Sequence, residues 1–144
     1  MLVRRLFTCI AVAAAAAATT VKDCAPGTSV FRLDAAHLEP TDPQPGDVVD
    51  LHISYTVPDG VLIRGGVTEY DVKVNYVPIT PYTEPLCQDI PCPVTGGSYS
   101  NVTQSTWPTG VHGLVVNTMR WKGEGEEVLL CLQLTTKFAS VAGA

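Results

Sequence analysis

The side chains here that could do chemistry by virtue of their spacing are three histidines, five cysteines and a run of glutamates. His37, His52 and His112 would bind a metal or shuttle protons if further donors stood at ligand spacing, but the sequence places none there. Each therefore reads as a solvated surface histidine, two of them on outward strand faces. Glu124, Glu126 and Glu127 cluster at a hairpin tip, where charge keeps a turn soluble, and this outweighs a paired-carboxylate reading. No Gly-x-Ser-x-Gly elbow occurs. Gly96-Gly97-Ser98 lacks the lysine and following helix of a phosphate loop and reads as a turn. No catalytic residue, metal ligand or cofactor site emerges, and the chain is expected not to be an enzyme.

The cysteines read better as a framework than as nucleophiles. Cys9 lies in the N-terminal leader, which leaves an even set of Cys24, Cys87, Cys92 and Cys131. Four cysteines permit three connectivities. The five-residue step from Cys87 to Cys92 favours a local staple, with a long clasp between the other two. A clasp from Cys24 to Cys131 would be worth about 4 kcal/mol on the chain-entropy account.

Residues 1–20 have the parts of a secretory signal: Arg4 and Arg5, an apolar stretch from Leu6 through Ala18, and small residues for cleavage near Ala16 to Ala18. The apolar stretch is shorter than the roughly 20 residues of a membrane span. Residues 21–144 then form a single domain. Losing Arg4 and Arg5 leaves seven basic residues against fourteen acidic ones, a net charge of −7. Such a surface argues against nucleic acid, whose phosphates need a basic footprint, and against electrostatic docking on anionic membranes at neutral pH. Asn101-Val102-Thr103 is an N-glycosylation sequon, expected in an exposed stretch.

Past the leader the periodicity is that of strands. Val49, Leu51, Ile53, Tyr55 and Val57 alternate with Asp50, His52, Ser54 and Thr56, and Pro58-Asp59-Gly60 supplies a turn. A first strand starts within Ser29–Leu33, and Asp42-Pro43-Gln44-Pro45-Gly46 breaks the chain before the second. Tyr70, Val72, Val74 and Tyr76 alternate with Glu69, Asp71, Lys73 and Asn75. The prolines of Val77–Tyr82 forbid a central strand. Strands Val111–Trp121 and Val128–Phe138 flank the charged turn Lys122–Glu126. Short strands, Gly/Pro turns and no helical period predict an all-β, antiparallel sandwich. Periodicity alone does not distinguish a filled core from a cavity.

Asp23-Cys24, the Asp42–Gly46 breaker, Leu86-Cys87 followed by Cys92-Pro93-Val94, Trp121 before a Gly-rich turn, and Leu130-Cys131 resemble the ML lipid-recognition family over Cys24 to Phe138. The resemblance implies an immunoglobulin-like β-sandwich holding lipid between its sheets, with pairs Cys24–Cys131 and Cys87–Cys92. It implies that Phe31, Leu51, Ile53, Tyr55, Tyr70, Val72, Val74, Tyr76, Trp121, Leu130, Leu132 and Leu134 contact lipid. Pro78, Ile79, Pro81 and Tyr82 would border the pocket mouth. Many members carry a third disulfide where Asp42–Gly46 stands here, a departure that weakens any case for cholesterol in particular.

The expected function is a secreted or lysosomal/vacuolar protein that binds and transfers a sterol or phospholipid. It would be monomeric, touch membranes transiently and hand over to a membrane-protein acceptor. A lipid-presenting recognition module and an activator for glycolipid hydrolases are the alternatives.

Overall fold

The computed structural model describes residues 19–79 and 81–138, so the leader up to residue 18 lies outside the described residues. Nine strands follow in order: β1 (Thr20–Asp23), β2 (Arg32–Glu39), β3 (Val48–Ile63), β4 (Gly66–Val74), β5 (Val77–Pro78), β6 (Tyr82–Pro85), β7 (Val94–Thr106), β8 (Gly113–Gly123) and β9 (Val128–Phe138). One sheet runs β1-β9-β8-β4, with β5 and β6 both paired to β4; the other is β2-β3-β7. All pairs are antiparallel. The fold is the expected all-β, immunoglobulin-like sandwich.

Period-two alternation decides which face each strand buries. On β3, Val49, Leu51, Ile53, Tyr55 and Val57 are buried, and the residues between them are not. On β9, Leu130, Leu132, Leu134, Thr136 and Phe138 turn inward. Full burial of each such aliphatic side chain contributes about 1.5–3 kcal/mol. Tyr55 sits at the centre of an aromatic cluster. It stacks on Phe31 at 5.3 Å and on Tyr99 at 5.4 Å, and meets Trp121 edge-on at 5.2 Å.

Four local expectations are corrected. The first strand is β1, which begins at Thr20, the last residue assigned to the leader, and β2 starts only at Arg32. Backbone bonds from the Val30 and Phe31 N–H groups to the carbonyls of Val128 and Leu129 dock the segment between them. Pro58-Asp59-Gly60 does not end a strand: β3 continues through it, and its register with β7 jumps between Val57 and Leu62. Gly96 and Gly97 lie inside β7 and are not a turn. A Cβ on Gly96 would stand 3.0 Å from Asp59 Cα and 3.1 Å from the Pro58 carbonyl, so the glycine is what lets the β3 excursion press against β7. Finally, a single helical turn, α1 (Leu86–Asp89), occupies the short cysteine loop, anchored by the fully buried Leu86.

Cys24 is bonded to Cys131 and Cys87 to Cys92. The long clasp ties the end of β1 to β9, where the Cys24 N–H also donates to the Cys131 carbonyl at 3.1 Å. Replacing Cys24 and Cys131 together by alanine is expected to lower the unfolding free energy by about 4 kcal/mol, because that loop spans 107 residues. The Cys87/Cys92 pair closes a far shorter loop and should cost about 2 kcal/mol. Denaturant titration of both double variants, followed by circular dichroism, checks the ranking.

Candidate functional site

Directly paired residues share a face, so the register lays the inner surface of the large sheet out in rows. Thr68, Trp121 and Leu130 form one row; Tyr70, Met119 and Leu132 the next; then Val72, Asn117 and Leu134; then Val74, Val115 and Thr136. Opposite them, Tyr55 pairs with Tyr99, while Leu51 pairs with Thr103 and Leu38. The Thr68, Trp121 and Leu130 row meets the aromatic cluster and closes the space. From Tyr70 and Met119 onward the side chains do not fill it. A cavity of about 400 Å³ opens there, walled by Leu38, Leu51, Val72, Val115, Met119 and Leu134, with Trp107 and Thr103 at its sides. That volume lies within the range of small-molecule pockets.

The mouth is polar and aromatic. Tyr70 and Tyr82 stack at 4.7 Å. The Tyr70 hydroxyl donates to Glu84 Oε1 at 2.9 Å, and the Thr68 hydroxyl to Asp89 Oδ2 at 2.5 Å. Burial pushes the Asp89 carboxyl up to about 6, and Glu84 beside it acts in the same direction; the Thr68 bond opposes both. Burial also raises the Tyr70 and Tyr82 hydroxyls, so neither is a base. The Asn117 carboxamide oxygen and the Trp107 indole nitrogen belong to residues that line the cavity, but both atoms are themselves buried, without a hydrogen-bond partner among the described residues. An apolar space with a few convergent polar groups suits an amphipathic guest.

The structure divides the residues expected to contact lipid. Leu51, Tyr70, Val72, Leu134 and Tyr82 line the cavity. Phe31, Ile53, Tyr55, Trp121, Leu130 and Leu132 are at most 1% exposed and pack in the closed core. Val74 packs against the edge of that core. Tyr76 is corrected outright: β4 ends at Val74, Asn75 and Tyr76 turn through positive φ, and Tyr76 is 83% exposed. Pro78 pairs with Lys73 in the edge strand β5, and Ile79 and Pro81 are exposed beside it, outside the cavity wall. Asn101 is half-buried on the face it shares with Ile53, its amide nitrogen 3.4 Å from Thr103 Oγ1.

Sequence reasoning missed Leu38, Val115, Asn117, Met119, Trp107, Glu84 and Asp89 as wall and mouth residues. The period-two alternation of Val115, Asn117, Met119 and Trp121 was a signal for the β8 wall, whereas nothing local marked Glu84 or Asp89.

The model of the ML domain matches residues 18–138. This chain belongs to the ML-domain family. Among solved structures, this ML domain is similar to a Niemann-Pick type C2 protein from the Japanese carpenter ant. The two are 14% identical with a TM-score of 0.58, covering 83% of this chain and 98% of that one. It is also similar to chicken MD-1, solved in complex with lipid IVa, at 17% identity and a TM-score of 0.56, covering 83% and 88%. No curated protein matches it by sequence.

Two outcomes are expected for the ML domain cavity. Val72→Trp adds bulk at a half-buried wall position, so it should cut binding of a fluorescent lipid at least about tenfold while costing only about 1–3 kcal/mol of stability. Thermal unfolding alongside the binding assay separates the two effects. The second concerns pH. A folded-state pKa of about 6 is raised above the ordinary value, so the stability linked to protonated Asp89 is present below about pH 4 and lost as pH rises through about 6. The mouth therefore gains negative charge over that window. Affinity for an anionic lipid should rise as pH falls from 7 to 5 in the wild type, and this component should vanish in Asp89→Asn.

Proposed function

We propose that this ML domain carries one lipid molecule between its sheets and moves it between membranes. The observation that carries the reading is the cavity itself, apolar along its walls and polar at its mouth. A lipid tail in water exposes surface that costs roughly 0.8 kcal/mol per CH₂, and a preformed dry pocket removes that cost without covalent chemistry or a cofactor. The likeness to MD-1, whose structure holds lipid IVa, supports the same use of the fold. At the mouth Glu84 and Asp89 disfavour an anionic headgroup. This favours a sterol or a neutral or zwitterionic phospholipid.

Delivery needs contact with a bilayer. Val77, Ile79 and Tyr82 are all exposed along the β4 edge that ends at the mouth, with Tyr76 at the adjoining turn. Large apolar side chains clustered in this way mark contact surfaces. The two disulfides favour an oxidising compartment, so the reading is a secreted or lysosomal/vacuolar carrier. Cleavage of a leader near Ala16 to Ala18 would leave β1 whole.

Mass spectrometry of organic extracts from the purified protein should recover one lipid per chain. Transfer between vesicles should proceed with no partner protein. The double variant Val77→Asp/Ile79→Asp should slow transfer while leaving affinity for dispersed lipid unchanged. A protein that holds lipid but never transfers it would instead be a presenting module for a receptor or a hydrolase.

A further inference from the structure

Along the chain the histidines have no ligand spacing, but the sheet brings two of them together. His37 on β2 and His52 on β3 are directly opposite one another. Their sequence neighbours Leu38 and Leu51 wall the cavity, so the histidines stand on the outer face of the three-stranded sheet. Their rings are parallel within 2°, with centroids 4.6 Å apart. Glu39, two residues after His37 and therefore on the same face, reaches both. His37 Nε2 is 3.5 Å from Oε1 and His52 Nε2 is 3.3 Å from Oε2. One donor atom from each residue lies within 4.8 Å of the others.

These contacts are longer than charge-assisted N–H···O bonds, which run to about 2.7–2.9 Å. His52 Nε2 is shielded from solvent and makes no hydrogen bond among the described residues. Two imidazole nitrogens thus converge on one carboxylate, an arrangement that a divalent ion satisfies. Bonds of about 2.0–2.2 Å in tetrahedral array set donor atoms about 3.3–3.6 Å apart, so no pair need close by more than about 1.5 Å. His37 and Glu39 are more than half exposed and can rotate to do so.

We propose that His37, His52 and Glu39 form a surface site for a borderline divalent transition-metal ion, of the zinc or copper(II) class. Two nitrogens and one carboxylate suit that class, whereas magnesium and calcium take all-oxygen sites. Three protein ligands leave a fourth position for water. Asp50, opposite Glu39, adds negative charge nearby and is held by Gln104 Nε2 at 3.0 Å. Because the site lies on the face away from the cavity, it stands or falls independently of the lipid reading.

The test is calorimetric titration of the chelator-stripped protein with zinc chloride in a non-coordinating buffer. Saturable binding of one equivalent is expected. His37→Gln and His52→Gln should each weaken it by more than the roughly tenfold cost of losing an outer-shell partner. His112→Gln should leave it intact. On the unmodified protein, zinc should shift the imidazole NMR signals of His37 and His52 but not His112, which decides the matter even if a variant folds poorly. Absence of saturable binding, binding undiminished in both variants, or shifts confined to His112 would overturn the site.

Discussion

The two sheets are held together at one end by a wedge of aromatic rings, and the rest of the architecture depends on it. Tyr55 reaches from the small sheet to Trp121 in the large one, with Phe31 and Tyr99 stacked on its faces. Such pairs contribute about 0.5–1.5 kcal/mol each beyond the area they bury. Facing sheets lie about 10 Å apart, a distance that aromatic and large aliphatic side chains bridge and Val, Thr and Asn do not. The change from one kind of residue to the other along β4, β8 and β9 therefore turns a solid core into a cavity within a few residues.

The disulfides have different tasks in this arrangement. Cys24–Cys131 fastens the edge strand β1 beside the aromatic end, where Leu130 and Leu132 are fully buried. Cys87–Cys92 closes the loop holding α1, whose Leu86 and the following Ile90 are buried anchors. That short element carries Asp89 to the mouth and sets its hydrogen bond with Thr68 on β4. A feature that reads as a mere staple thus positions the most perturbed carboxyl group described in the molecule.

Strands β2 and β3 use both of their faces. Leu38 and Leu51 project inward to wall the cavity, while His37, Glu39 and His52 project outward from adjoining positions. The strict two-residue period lets one strand pair present an apolar wall and a cluster of metal-ligating side chains without either disturbing the other.

What the sequence determined by itself was whatever local periodicity and turn chemistry express. The alternation in Val49–Val57 and Val128–Phe138 specifies buried faces, and the charged turn at Lys122–Glu126 specifies the hairpin between β8 and β9. The apolar face of Leu51, Tyr70, Val72 and Leu134 was legible in the same way. Register and depth belong to the tertiary structure. Period two assigns Leu51 and Tyr55, or Leu132 and Leu134, to the same face; only pairing with neighbouring strands and the opposing sheet places one in a closed core and the other on a cavity wall. Gly96 mimics part of a turn in sequence because its packing partner, Pro58-Asp59, is nearly forty residues away. Asp89 meets Thr68, and His52 meets His37, through contacts 21 and 15 residues apart. Such juxtapositions have no local signature, since strand pairing, and not the order of residues along the chain, creates them.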